Sequence, residues 1–234
     1  DNEDIGMDQE KTCCSLSDIE DARSVAVKLG IPYYVFNFKA DFKEKVIDPF
    51  IDSYRCGMTP NPCIECNRHL KFTQLHQKAR ELQCDVVVTG HYARITKDEQ
   101  GYHLLKGKDA AKDQSYVLYS LTQEQLAHTC FPLGEYTKEE IRRMAEEQGF
   151  FNAGKKDSQD ICFIPDGDYR RFIEETTGQK STPGNFVDQE GNVLGIHKGY
   201  YCYTIGQRRG LGISAPQSLY VVEIRPEKNE VVLG

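Results

Sequence analysis

The chain has 234 residues, of which 39% are hydrophobic and 28% charged, and its net charge is -7. This composition excludes a disordered or fibrous protein, and the apolar runs are too short for a transmembrane helix. The negative charge excludes a bulk attraction to nucleic acid, so any such contact must use local basic clusters. Nine cysteines, an odd number with no apolar signal segment before them, indicate reduced thiols in the cytoplasm rather than a disulfide framework.

The first part of the chain is predicted to alternate helices with buried strands. A capping box at residues 17–20 opens a helix that Gly30 ends. The apolar run at 33–38 is typical of a buried parallel strand. A second helix is predicted over 67–82, and a short buried strand follows at 85–89. This order favours a doubly wound α/β domain with a parallel sheet.

The pattern changes in the second part of the chain. A hairpin is predicted around Gly101, and a capping box at 137–140 opens a helix that Gly149 ends. Beyond it, a helix near 169–173 precedes short strands separated by glycines. These later elements indicate a small domain of the α+β type.

We therefore expect two domains, one over residues 1–165 and a smaller one over 166–234. Only two parallel strands are convincing in the first domain, at 33–38 and 85–89. Two strands do not form an independently stable open sheet, so the parallel sheet is expected to be incomplete and the chain to be a fragment.

The strongest chemical signal is a pair of cysteines, Cys63 and Cys66, preceded by two prolines. The prolines stiffen a loop that delivers the pair to the start of the helix at 67–82. Free N–H groups and positive potential at a helix start favour a reactive thiolate. A redox pair and half of a metal site both fit this spacing. A zinc knuckle or inert cysteines are the alternative, although zinc sites usually contain two such pairs.

A third cysteine, Cys162, lies beside the pair Lys155-Lys156 in a charged segment. Alone it is most simply a small core residue. Together with Cys63 and Cys66 it could relay sulfur by thiol–disulfide exchange, or hold an iron–sulfur cluster with one open iron. The other cysteines are interpreted as loop or core thiols, except that Cys13 and Cys14 are unassigned.

Two further features could bind a ligand or RNA. His91 follows the carboxyl end of the strand at 85–89, where open sheets bind ligands, and could contact a phosphate or a base. A hydrogen-bonded loop histidine is the alternative. A basic stretch at 106–112 and the pair Arg208-Arg209 could contact RNA, although a solvated charged face explains either cluster alone.

Five stretches occur together in one order, at residues 59–67, 89–94, 112–116, 157–164 and 203–212. In this combination the chain resembles the bacterial-type tRNA-specific 2-thiouridylases. The resemblance implies a Rossmann-like sheet of the pyrophosphate-loop ATPase type in the first, nucleotide-binding domain and a small central tRNA-binding domain after it. It also implies an enzyme that uses ATP with Mg²⁺ to replace the C2 oxygen of the wobble uridine by sulfur, in tRNAs for Lys, Glu and Gln.

The same resemblance implies roles for individual residues. Sulfur from a cysteine desulfurase or a persulfide-donating carrier reaches Cys162, and Cys66 releases it by forming a disulfide with Cys162. The remaining assignments are Asn61, Pro62 and Cys63 at the target base, His91, Lys112, Asp113 and Gln114 at the tRNA, and Gly90 at ATP.

Two features depart from the family pattern. Cys63 stands where many members have Asp, which makes an iron–sulfur site at Cys63, Cys66 and Cys162 more plausible here. The family's N-terminal phosphate-binding loop and C-terminal β-barrel are not found in this sequence, so the chain alone is not expected to adenylate its substrate. A zinc- or tRNA-binding module without catalytic activity is the alternative function, and an amidotransferase-like ligase is a third.

Overall fold

A computed structural model describes residues 16–155 and 161–234, with side chains from residue 18 onward. By its contacts the chain divides into two compact units. The first contains the described residues up to Val46 and the stretch Pro62–Phe163. The second combines Ile47–Asn61 with Ile164–Gly234. The division predicted at residues 165 and 166 stays a prediction.

The described helices and strands are short, and two helical runs contain π-helical segments. The α-helices are α1 (Leu16–Leu29), α2 (Lys39–Phe42), α3 (Asp48–Arg55), α4 (Pro62–Glu65), α5 (Leu75–Glu81), α6 (Gln123–Ala127), α7 (Lys138–Glu147) and α8 (Tyr169–Thr177), with π-helical segments at Lys43–Ile47 and Cys66–Gln74. The strands are β1 (Val87–Val88), β2 (Ala93–Asp98), β3 (Gly101–Lys106), β4 (Thr129–Cys130), β5 (Gly184–Val187), β6 (Val193–His197), β7 (Val221–Arg225) and β8 (Glu230–Leu233). None of the described helices combines the length and apolar character needed to span a bilayer.

The first unit contains a parallel strand pair, as expected for its α/β class. Strand β1 pairs in parallel with β4, with Val87 opposite Thr129. The predicted hairpin around Gly101 is confirmed, because β2 and β3 pair antiparallel from Ala93–Lys106 to Asp98–Gly101. The strand predicted at 85–89 is therefore present, although only two of its residues are in the ladder.

The strand predicted at residues 33–38 is wrong. This segment forms no ladder with any strand of the described part of the chain, and Tyr34 and Val35 are about 60% exposed. A high content of aromatic and β-branched residues favours an extended backbone, but a strand also needs a neighbouring edge with free backbone groups. The parallel partner of β1 is instead β4, a strand that the sequence patterns did not indicate.

The helix predicted over 67–82 is present but begins earlier, at Pro62. Proline is favoured in the first turn because its fixed φ suits a helix and its missing N–H would have no helical partner there. The chain then passes through the π-helical segment Cys66–Gln74 before returning to α-helix. Segments of this kind often occur at functional sites.

The helix ends predicted at Gly30 and Gly149 are confirmed. Helix α1 ends at Leu29 and α7 ends just before Gly149, and Gly30 and Gly149 both have positive φ. The capping box at 137–140 forms as predicted, with the N–H of Glu140 donating to Thr137 Oγ1 at 3.2 Å. The side chain of Ser17 lies outside the described residues.

One apolar cluster in the core of the first unit joins the helical run 62–81 to the hairpin and the loops beside it. Its buried members are Phe72, Ala93, Val117, Leu118 and Phe131, with Ile64, Ile95, Leu104 and Leu121 packed around them. These residues come from segments far apart in the sequence. The core therefore fixes the helix that carries the cysteine pair against the loops after β1 and around residue 117.

The second unit is a four-stranded mixed sheet in the order β6-β5-β8-β7, with β5 and β8 parallel and the other pairs antiparallel. The predicted helix near 169–173 and the short strands between glycines are confirmed. Helix α3 also belongs to this unit, because Tyr54 stacks on Tyr169 with ring centroids 4.6 Å apart. Phe50 contacts Phe172 edge-to-face, with ring centroids 6.3 Å apart.

Candidate functional site

The cysteine pair lies in the first turns of the helical run that starts at Pro62. Cys63 is exposed and belongs to α4, whereas Cys66 is half-buried and is the first residue of the π-helical segment. The field of a helix terminus acts over the first turn, which contains Cys63 but not Cys66. The positive potential of the helix start therefore acts on Cys63 more than on Cys66.

The side chains on either side of Cys66 in this helical run include several charged groups. Glu65 accepts a hydrogen bond from Arg68 Nη1 at 3.0 Å, and its other oxygen lies 3.1 Å from His69 Nε2. Lys71 on the same helix is exposed. The π-helical segment that starts at Cys66 thus carries two cationic side chains, Arg68, which is paired with Glu65, and the exposed Lys71.

Asn67, directly after Cys66, is a buried polar residue that the sequence patterns did not single out. Its side chain is 2% exposed, and its Nδ2 donates to the carbonyl of Val117 at 3.2 Å. Its Oδ1 is buried with no hydrogen-bond partner among the described residues. The sequence contains a hint that Asn67 is buried. Asn is a poor helix former, and Asn67 lies three residues before the apolar Leu70, on the same helix face.

His91 is buried in an aromatic environment after β1. It is 7% exposed and its ring lies 5.9 Å from that of Phe72 and 5.8 Å from that of Phe131. Its Nδ1 lies 2.7 Å from Thr89 Oγ1. Burial, assisted by the charge of Lys71, lowers the pKa of His91 to about 4. The ring is therefore neutral at pH 7, and its proposed contact with tRNA stays a prediction.

The segment with the predicted tRNA contacts is a tightly held loop. Gln114 Oε1 accepts from the N–H of Tyr92 at 3.0 Å, and the N–H of Gln114 donates to the Tyr92 carbonyl at 2.9 Å. Asp113 accepts from the N–H of Gly107 at 2.9 Å and from the Ser115 hydroxyl at 2.8 Å. Burial raises the pKa of Asp113, but these hydrogen bonds outweigh it and the net pKa is lowered.

Lys112 is the exposed member of that segment. The side chains of Asp113 and Gln114 are instead held by hydrogen bonds to the backbone and to Ser115. A direct tRNA contact by Lys112, Asp113 and Gln114 stays a prediction.

Gly90 lies in the loop at the carboxyl end of β1. A Cβ added there would lie 3.5 Å from Leu133 Cδ1, which is an ordinary van der Waals contact. The packing of the described residues does not require a glycine at this position. A ligand that closely approaches the backbone would require one, which fits the predicted place of ATP.

Cys162 is half-buried and is a thiol in this structure, so the expected disulfide with Cys66 is not formed in it. The adjacent Phe163 packs edge-to-face on Phe42 at 5.6 Å, within the first unit. Lys155 does not support a thiolate, because its ammonium lies 2.6 Å from Asp18 and 2.7 Å from Asp21 on α1. Lys156 lies outside the described residues.

The metal-site alternative finds no support in the geometry of the described residues, which include Cys63, Cys66 and Cys162. No group of three or more His, Cys, Asp or Glu side chains in the described ranges is placed to hold a metal ion. Cys13 and Cys14 are not described.

The segment before the cysteine pair belongs to the second unit. Within that unit Thr59 Oγ1 donates to Thr204 Oγ1 at 3.2 Å, and a Cβ at Gly57 would crowd Ile224 at 3.0 Å. Asn61 is the last residue of this stretch and is exposed, whereas Pro62 is buried and belongs to the first unit. The three residues predicted to face the target base are therefore divided between the two units.

Comparison with known families gives two matches along the chain. One, described as the tRNA methyl transferase HUP domain, covers residues 1–166, and the other, the tRNA methyl transferase PRC-barrel domain, covers 170–234. Among individual proteins, the tRNA-specific 2-thiouridylase MnmA of Lachnoclostridium phytofermentans is 55% identical over 95% of this chain and 62% of its own length. The protein of the same description from Carboxydothermus hydrogenoformans is 55% identical over 95% of this chain and 61% of its own. The chain thus spans less than two thirds of the length of these relatives.

Proposed function

The chain belongs to the family described by the tRNA methyl transferase HUP domain, and from this membership we propose that it takes part in tRNA 2-thiolation. Its relatives are described as 2-thiouridylases, and half-buried thiols at Cys66 and Cys162 suit the transfer of sulfur. The proposed reaction replaces the C2 oxygen of the wobble uridine by sulfur. The proposed substrates are the tRNAs for Lys, Glu and Gln, in the cytoplasm.

One observation carries this proposal most directly. Three segments meet at the core around Phe72. They are the helical run 62–81, which carries Cys63 and Cys66, the loop after β1, and the segment 112–117. Asn67 binds the Val117 carbonyl, and Gln114 pairs with the backbone of Tyr92. Segments that the sequence predicted to serve sulfur, nucleotide and tRNA are thus held in one unit.

The proposed sulfur step uses both thiols. Cys162 receives a sulfur atom as a persulfide from a donor protein, either a cysteine desulfurase or a carrier. The Cys66 thiolate then attacks the Cys162 Sγ, the S–S bond of the persulfide breaks, and hydrosulfide leaves with the electron pair. The product is a Cys66–Cys162 disulfide, which an external dithiol must reduce by two electrons before the next cycle. The hydrosulfide attacks C2 of the adenylated uridine, the C2–O bond breaks, AMP leaves with the electron pair, and the S–H proton is lost to solvent.

ATP, bound with Mg²⁺, would supply an adenylyl group that turns the C2 oxygen into a leaving group. Gly90 is the residue of this chain that we place beside it, because the fold itself does not need a glycine there. The HUP class of the first domain is consistent with ATP as the nucleotide. An iron–sulfur cluster is the less favoured source of chemistry, since the three thiols are not grouped as metal ligands.

Cysteine substitutions test the thiol roles. In the full-length protein, Cys66→Ser and Cys162→Ser should each abolish 2-thiouridine formation, measured by mass spectrometry of digested tRNA. The matched control is Cys84→Ser, since Cys84 is an exposed thiol of the same unit that lies in none of the site segments. It should keep the parent's activity. Near-normal thiolation by either site variant would refute the relay.

A further inference from the structure

Cys63 is a thiol to which the proposed sulfur step gives no chemical part. That step needs only Cys66 and Cys162, and it ends with these two residues joined in a disulfide. All three cysteines belong to the first unit, and all are thiols in this structure. Their exposure differs, because Cys63 is exposed whereas Cys66 and Cys162 are half-buried. Of the three, the thiol that the step leaves unused is therefore the one most open to solvent.

The positions of Cys63 and Cys66 suit a disulfide between them. Cys63 lies in α4, and Cys66 follows three residues later in the same helical run, with helical φ and ψ at the intervening Glu65. Side chains three residues apart in a helix are neighbours, with Cβ atoms about 5–6 Å apart. A disulfide brings its Cβ atoms to about 3.5–4.5 Å, so the first turn must tighten by about 1 Å or more. A small local change thus suffices to join the pair.

The charged residue between the two cysteines does not oppose an attack by a thiolate. Glu65 accepts a hydrogen bond from Arg68 Nη1 at 3.0 Å, and its other carboxylate oxygen lies 3.1 Å from His69 Nε2. The positive charge of Arg68 compensates the carboxylate. Since the thiolate is the attacking species in disulfide exchange, this ion pair offsets a like charge that would repel it.

The disulfide that ends the proposed sulfur step is poorly placed for reduction from outside. Exchange requires that the attacking thiolate reach one of the two sulfurs, and both Cys66 and Cys162 are half-buried. A disulfide between Cys63 and Cys66 has one exposed member, and exposed disulfides are the labile ones. Transfer of the disulfide from Cys162 to Cys63 therefore opens it to an external dithiol and returns Cys162 as a thiol for the next sulfur atom.

We propose that Cys63 is the resolving thiol of the sulfur step, a role that rests on the proposed function. The Cys63 thiolate attacks the Cys66 Sγ, the Cys66–Cys162 bond breaks, and Cys162 leaves with the electron pair as a thiolate that takes a proton from solvent. The exchange itself consumes no oxidant or reductant. The external dithiol that the sulfur step already requires then reduces the Cys63–Cys66 disulfide by two electrons.

Trapping the disulfides of the full-length protein tests this role. Protein loaded with persulfide by a cysteine desulfurase receives one equivalent of tRNA with ATP and Mg²⁺, without dithiol, and is quenched in acid, alkylated and mapped by peptide mass spectrometry. The parent should show the Cys63–Cys66 disulfide with Cys162 alkylated, whereas Cys63→Ser should show Cys66–Cys162. The matched control Cys84→Ser removes another exposed thiol of the first unit and should give the parent's pattern.

Turnover separates the resolving role from the other roles predicted for Cys63. The exchange follows sulfur delivery, so Cys63→Ser should slow later turnovers far more than the first. A thiol in the same chain acts at an effective concentration of about 1 mM or more, so with about 0.1 mM external dithiol the steady-state rate should fall about 10-fold. Equal slowing of the first turnover would overturn the proposal and place Cys63 at the target base.

Two further results would also overturn it. If Cys63→Ser loses iron and sulfide that the anaerobically purified parent holds, Cys63 is a cluster ligand. If the parent accumulates only Cys66–Cys162 and Cys63→Ser turns over like the parent, Cys63 takes no part in recycling. If neither protein forms a disulfide at Cys66, the proposed sulfur step itself fails, and the resolving role fails with it.

Discussion

The protonation of His91 illustrates how the site environment sets the properties of a single residue. Its ring is 7% exposed between two phenylalanines, and burial with the nearby Lys71 lowers its pKa to about 4. The unfolded chain would take up a proton near pH 6.5. Between about pH 6.5 and 4 the unfolded state therefore binds more protons, so the contribution of His91 to stability is present above this range and is lost as the pH falls.

The titration of His91 can be measured directly. The imidazole resonances of His91 in an NMR pH titration should report a pKa near 4 in the folded protein and near 6.5 in urea. From pH 7 to pH 5 this difference should reduce the free energy of unfolding by about 2 kcal/mol, a component that His91→Gln should lack. A folded-state pKa near 6.5 would show that the ring is solvated and free to contact phosphate.

At this scale the sequence identifies residue types better than their surroundings. The spacing of Cys63 and Cys66 is visible in the sequence, and so is the position of His91 after a strand. The burial of His91 is not, because it depends on Phe72 and Phe131, which lie 19 residues before and 40 residues after it. Asn67 was missed for the same reason, since its partner is the Val117 carbonyl.

Helix boundaries could be predicted because their signals are local. The capping box at 137–140 needs only two side chains and two N–H groups, and it forms as expected. The strand expected at 33–38 needs a partner edge that no local pattern specifies, and the ladder of β1 forms with β4 instead. The helical run 62–81 begins earlier than expected, at Pro62. This start could have been predicted from the sequence, because proline is favoured in the first turn of a helix.

The contact between the helical run 62–81 and the turn at residue 117 can be tested at Asn67. Asn67→Leu removes a donor and also a buried acceptor that has no partner among the described residues, so the two effects should nearly cancel. Asp resembles Asn in shape more closely than Leu does, but Asn67→Asp removes the donor and places a negative charge beside the Val117 carbonyl. We expect Asp to destabilise the helix by about 3 kcal/mol or more and Leu by about 1 kcal/mol or less.

Amide hydrogen exchange in the helical run 62–81 would measure these opening free energies. Asn67→Gln is a useful companion, because it keeps both polar groups and tests whether the fit is specific to the shorter side chain. If Asn67→Asp kept the amide protection of the parent, the hydrogen bond from Asn67 to Val117 would not be important for this contact.

The division of the whole molecule does not follow chain order, because the second unit recruits residues 47–61. Phe50 is 1% exposed and packs against Phe172 of α8. Phe50→Ala should therefore destabilise the second unit by about 3–5 kcal/mol. The effect should appear as faster amide exchange in α8 and the strands β5–β8, more than 100 residues away in sequence.

Tyr34→Ala is the matched control for that experiment, since Tyr34 is an aromatic residue of the N-terminal part that is 61% exposed. It should leave exchange in the second unit unchanged. If Phe50→Ala accelerates exchange in the first unit alone, then the segment 47–61 contributes to stability there and the unit boundaries are wrong.

The recruited segment also has a consequence for synthesis on the ribosome. Residues 47–61 leave the ribosome before the whole of Pro62–Phe163, yet their packing partners on α8 come after it. At about 5–20 residues per second, the buried faces of Phe50 and Tyr54 wait roughly 5–20 s for those partners. During that interval the nascent chain exposes an aromatic helix face, the kind of surface that chaperones bind.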